Sequence, residues 1–157
     1  MVKSAFIVML PIAAVSLSAS VKLELLQNGS IENKPLGWKQ SKMPSWAKAG
    51  VDNKVAKKGT GSLFLSGSKD ISKPWFWQEL KLKLAGKKEY VVSCWMKSEN
   101  ISRRATLYLT AKDAKGKNLL HQRIAEVSKS TDWKFFSRKI TVPAGVRLLD
   151  EPNATVL

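Results

Sequence analysis

Trp77-Gln78-Glu79-Leu80-Lys81-Leu82-Lys83-Leu84-Ala85-Gly86-Lys87-Lys88-Glu89-Tyr90-Val91-Val92-Ser93-Cys94-Trp95-Met96-Lys97 decides the fold. On both sides of the turn formers Ala85-Gly86-Lys87-Lys88, residues alternate with a period of two, the pattern of half-buried strands. Leu80, Leu82 and Leu84 share one face of the first segment with Phe76 just before it, and Trp77, Glu79, Lys81 and Lys83 share the other. In the second segment Tyr90, Val92, Cys94 and Met96 share a face that leaves out Ser93, Trp95 and Lys97. Beyond the first 20 residues nothing sustains a helical period.

Similar segments recur at Leu23 to Leu26, Val51 to Val55, Ser62 to Leu65, Ala105 to Ala111, Arg123 to Val127 and Lys134 to Val142. Gly59-Thr60-Gly61, Asp113-Ala114-Lys115-Gly116 and Pro143-Ala144-Gly145 supply turns between them, with glycine where positive φ is needed. The expectation is an all-β antiparallel sandwich or barrel. Leu107 and Leu109, and Phe136, Ile140 and Val142, join the inward set by phase. The opposite phase collects Trp77, Trp95, Tyr108 and Phe135 beside Ser93, Lys97, Thr106, Thr110 and Ser137.

Indoles on a polar strand face need a reason. Flat aromatic surfaces beside charged and amide groups suit sugar rings, whose C–H faces are apolar and whose edges carry hydroxyls. The other reading of Trp75 and Trp77 is a lip of core aromatics at a sheet end, since tryptophan is often mostly buried without binding anything. A loop or partner domain covering the outer face is the alternative to a ligand. Gln78 has two uses as well: inward with Phe76, or turned at the strand end toward a sugar hydroxyl.

The chain opens with Lys3, an apolar run from Ala5 to Leu17, and the small residues Ser18, Ala19 and Ser20. This is the layout of a secretory signal over residues 1–20, cleaved after Ser18 or Ser20. The expected mature domain, residues 21–157, is then secreted, periplasmic or at the cell surface. An uncleaved anchor is the alternative, although the run is short for a membrane span and no second long apolar stretch follows, so no stable membrane insertion is expected. What remains fits one domain.

Lys and Arg total 27 against 12 Asp and Glu, a net charge of +15. Such a field favours acidic partners, among them uronic or sulfated polysaccharide and anionic surfaces. The lysines are dispersed, with pairs such as Lys57-Lys58 and Arg103-Arg104 as the longest runs, unlike the stripe that nucleic acid requires. Cys94 is the only cysteine, which rules out an intramolecular disulfide, and its strand context makes it a small buried hydrophobe. His121 is the only histidine, so neither a multi-histidine metal site nor a serine triad is expected. Glycosidic hydrolysis needs two convergent carboxylates. The acidic residues sit in turns or beside lysines, and none falls in an acid/base motif, so no catalytic residue is assigned.

Asn28-Gly29-Ser30-Ile31-Glu32, Gly37-Trp38, Lys58-Gly59-Thr60-Gly61-Ser62-Leu63, Gln78-Glu79-Leu80, Gly86 through Ser98, and Thr131-Asp132-Trp133-Lys134-Phe135-Phe136-Ser137 through Val142-Pro143 stand in a distinctive order. In that order the chain resembles the carbohydrate-binding modules called CenC-like, families 4, 9 and 22. The resemblance implies a two-sheet antiparallel β-sandwich of the galactose-binding-like jelly-roll type, and non-catalytic binding of polysaccharide, often beside a glycoside hydrolase. With that activity, the aromatics placed on the polar face by phase become the expected ligand contacts: Trp77, Trp95, Tyr108, Trp75 and Phe135 stack on pyranose faces, and Lys97 and Gln78 select among hydroxyl or carboxylate patterns. The resemblance also implies a structural calcium held by Glu32 and the turn carrying Gly59 and Ser62, though binding itself requires no cofactor. The chain departs from the family at its end, where Val146 to Leu157, interrupted by Pro152, replaces a regular last strand. A structural or adhesive surface domain on the same fold is the second function class.

Overall fold

Asp113 closes the turn between the two longest described strands. Its Oδ1 accepts hydrogen bonds from the backbone N–H of Lys115 and of Lys117, and its carbonyl accepts from Gly116, whose φ of 81° favours glycine. This turn joins β7 (Lys88–Lys112) to β8 (Asn118–Val142), two antiparallel strands of 25 residues each. In the computed structural model the described residues are 3–14, 23–24, 31, 37–68, 76–78, 88–113 and 115–143. All their regular structure is strand, and every pairing is antiparallel.

The alternation reads the β7–β8 ribbon as four separate strands, whereas the ladder runs through. Val92, Cys94 and Met96 point inward near the start of β7, but Leu107, Leu109 and Ala111 do so near its end, so the inward phase switches between even and odd positions. Register shifts between Met96 and Ser98, Ser98 and Ile101, and Ile101 and Arg104 accomplish the switch. Asn100 and Lys129 take positive φ there, and Ser130 Oγ ties the two sides by accepting from the Asn100 N–H. Pairing continues across the bend while the sequence pattern breaks.

The larger sheet has the order β4 (Ala47–Asp52), β5 (Ser62–Gly67), β1 (Lys3–Ala14), β7, β8, with β2 (Leu23–Glu24) paired to β1. The smaller sheet pairs β3 (Lys39–Gln40) with β6 (Phe76–Trp77). Phe76 and the adjacent Trp38 belong to the same buried cluster as Leu63, Val92, Cys94, Met96, Leu107 and Ile140. Residues of both sheets thus share one buried cluster. The all-β antiparallel expectation therefore holds, as does the inward set Tyr90, Val92, Cys94, Met96, Leu107, Leu109, Ile140 and Val142.

Two elements differ from the sequence reading. The strand expected from Val51 to Val55 lies at Ala47–Asp52, because Asp52 Oδ1 accepts from the N–H groups of Lys54 and Val55 and turns the chain. The short β3 carries no alternation signal at all. Residues 79–87, Trp75, Glu32 and the C-terminal 144–157, where the last strand was expected to be irregular, lie outside the described residues.

Met96 is fully buried, and Met96→Ala removes its side chain from the centre of the cluster. Urea unfolding should show a loss of about 2–5 kcal/mol. Cys94 is equally buried, and desolvation pushes its thiol from 9.0 up to about 12. A thiol with a raised folded pKa adds stability below its unfolded pKa and loses it as pH rises toward the folded value. Stability should therefore decline above pH 9.0, and more steeply than in Cys94→Ala. Alkylation at pH 8 should label Cys94 only after denaturant is added.

Candidate functional site

Burying Val92, Cys94 and Met96 on one face of β7 leaves Trp95 on the other. The register sets Phe135 of β8 directly opposite, and the two rings stand 5.2 Å apart between centroids at 45°. Phe135 is 46% exposed, the outstanding large apolar side chain at the described surface. Trp95 is half-buried, and Lys57, from the loop between β4 and β5, holds its ammonium 5.1 Å from the centroid of the indole. At an exposed site such a cation–π contact is worth about 0.5–1 kcal/mol, small enough for a ligand ring to displace.

Lys97, two residues along the same face, bridges Glu99 at 3.4 Å and Asp132 at 3.5 Å. The backbone N–H of Trp133 and then Lys97 and Lys57 hold the Asp132 carboxyl below its ordinary pKa, against a smaller opposing effect of desolvation. Solvent screening leaves exposed pairs of this kind little net stabilisation, so they orient polar groups more than they stabilise the fold. Trp95 Nε1 is buried with no hydrogen-bond acceptor among the described residues.

The outer face extends past β1. Phe64 of β5 pairs in register with Phe6 and that with Lys97, which places Phe64 and Lys97 in one row across the sheet. Phe64 also covers Gly50, where a Cβ would sit 3.3 Å from the Phe64 ring. Neither Phe64 nor Lys57 was singled out from sequence. The alternation Leu63-Phe64-Leu65 contains the signal for Phe64, while Lys57 is placed by a loop that periodicity does not describe.

Of the residues expected at a ligand site, Trp95, Lys97 and Phe135 are together. Trp77 belongs to the smaller sheet, opposite Lys39. Gln78 is 1% exposed, so it takes the inward of its two uses. Tyr108 lies further along β7, past the register shifts, and stacks on His121 at 4.7 Å with 9° between planes. His121 Nδ1 in turn hydrogen-bonds Thr110 Oγ1 at 2.9 Å.

Of the residues expected to hold a calcium ion, Gly59 and Ser62 are among the described residues and Glu32 is not. A Cβ at Gly61 would come within 2.8 Å of Asn53 Oδ1 and 2.9 Å of the Ile31 carbonyl oxygen, so two neutral oxygens crowd this turn. The Ser62 hydroxyl is engaged in donating to the Val55 carbonyl, and Gly59 is exposed with φ of 72°. No group of three His, Cys, Asp or Glu gathers among the described residues, and Glu32, the carboxylate expected to serve a calcium ion, lies outside them.

An apolar aromatic surface flanked by ammonium donors and a carboxylate acceptor can hold a polyol with apolar ring faces. The family model for a carbohydrate binding domain, CBM_4_9, matches residues 23–149. No curated protein and no solved structure matches the chain. The match runs from β2 through the full β7–β8 ribbon and takes in Lys57, Trp95, Lys97, Asp132 and Phe135; the chain belongs to this family of carbohydrate-binding domains.

Proposed function

We propose that this carbohydrate-binding chain is an exported, non-catalytic module that holds polysaccharide on the outer face of β7 and β8. The observation that carries the reading is the Trp95–Phe135 pair, one ring capped by Lys57 and the other open to solvent. Pyranose rings stack on Phe135 and, once Lys57 swings aside, on Trp95. Lys97, Lys57 and Asp132 hydrogen-bond hydroxyls at the ring edges, and the two lysines favour a sugar carboxylate or sulfate. Stacking and hydrogen bonding need no cofactor. The Tyr108–His121 stack and Trp77 are further aromatic contacts for a long chain. Export follows the leader pattern of residues 1–20, and the module serves a secreted, periplasmic or surface protein, a glycoside hydrolase being the natural companion.

Phe135→Ala should lower affinity for a bound glycan about tenfold, which is about 1.4 kcal/mol, in isothermal titration. Because Phe135 is exposed, its thermal midpoint should stay close to that of the parent. Trp95→Ala should abolish retention on the same glycan. Unchanged binding by both variants across a polysaccharide panel would remove the stacking site.

The net charge of +15 favours one second reading, charge-driven adhesion to an anionic polymer. A glycan array at two ionic strengths separates the two. Adhesion by charge disappears near 1 M salt, where the screening length is about 3 Å, whereas stacking persists. Lys57→Ala gives an independent check: it should weaken binding of an acidic glycan and leave or strengthen binding of a neutral one, since it uncovers the indole.

A further inference from the structure

The twelve residues Lys3–Ala14 hold a central position in the larger sheet, although the family match begins only at residue 23. β1 is antiparallel to β5 on one side and to β7 on the other, so β5 and β7 run parallel to each other. With strand spacings of roughly 4.8 Å, they lie about 9.6 Å apart, too far to hydrogen-bond directly. Ser4, Ala5, Phe6 and Ile7 are paired on both sides at once: Ser4 with Ser66 and Glu99, Ala5 with Leu65 and Ser98, Phe6 with Phe64 and Lys97, Ile7 with Leu63 and Met96. The pairing with β7 continues through Leu10 and resumes at Ala13 after a register shift that contains Pro11, a residue that cannot donate to a ladder.

We propose that β5 and β7 form a strand-accepting slot, one strand wide, and that Lys3–Ala14 is its occupant. The partner chemistry is that of strand addition: an extended apolar peptide, antiparallel to both walls, held by main-chain hydrogen bonds. Leu63 and Met96, both buried, flank the register position of Ile7, so the slot crosses the core and is not a peripheral edge. The same twelve residues fall within the stretch that reads as an export leader. Cleavage after Ser18 or Ser20 would cut between β1 and β2 and leave the occupant held by main-chain pairing alone, so that its exchange for another strand exposes two facing rows of N–H and C=O groups. Leader removal and slot occupancy are thus coupled: a folded chain that keeps the segment is closed, and one that loses it takes up another strand.

The test uses the full chain with a protease site introduced at Ser18 to Ser20. Hydrogen exchange on the uncut protein should show the amides of residues 4–10 protected at least ~100-fold over the free peptide, alongside those of β7. After cutting, the amino-terminal fragment should remain with the domain in native size exclusion, and a labelled peptide of residues 3–14 should replace it. The same peptide with Val8→Pro should not replace it. In the full chain Val8→Pro should lower the thermal midpoint by about 5 °C or more. The proposal is overturned if residues 4–10 exchange at the rate of the free peptide. It is equally overturned if the cut fragment leaves while the domain keeps its thermal midpoint and takes up no peptide.

Discussion

The pleat of β7 is the constraint on which the rest depends. Val92, Cys94 and Met96 are essentially without solvent exposure, and their burial orients the strand as strictly as a covalent link would. A strand alternates faces, so fixing these three inward fixes Trp95 and Lys97 outward, and antiparallel pairing then brings Phe135 and not Phe136 beside Trp95. A slip of one residue would put an indole in the core and a methionine in solvent. The aromatic face proposed to hold carbohydrate is thus a by-product of core packing, which gives it rigidity without a dedicated support.

Polar groups on this face are arranged around the rings, and one of them, Lys57, caps the indole. Lys97 spans Glu99 and Asp132, Lys57 lies over the indole, and the carboxyl of Asp132 remains ionised below the ordinary range. Each contact is weak in water. Weakness suits the proposed exchange of these contacts for sugar hydroxyls, because displacing any one of them costs little. Phe135 contributes apolar surface left uncovered by the fold itself.

Much of this was legible in the residues, for a physical reason: period-two alternation reports burial directly. The inward set, the outward placement of Trp95 and Phe135, and the Asp113–Gly116 turn all follow from it. What alternation could not convey is continuity. At Ser98 to Arg104 the phase flips through bulges, so a continuous 25-residue strand reads as two, and Tyr108 looks like a companion of Trp95 when its stacking partner is His121. Lys57 was invisible because loops position side chains without period. Gln78 could not be settled by phase, since strand ends allow either direction, and packing against the core decides it.

The central claim, that the outer face of β7 and β8 is the carbohydrate surface, is tested most directly by mapping amide shifts while an oligosaccharide selected from a glycan array is titrated into isotopically labelled protein. The account predicts the largest changes at residues 93–97 and 132–137, with the Lys57 loop moving alongside them. Largest changes at Tyr108 and His121, or in β3 and β6, with residues 93–97 unmoved, would contradict it.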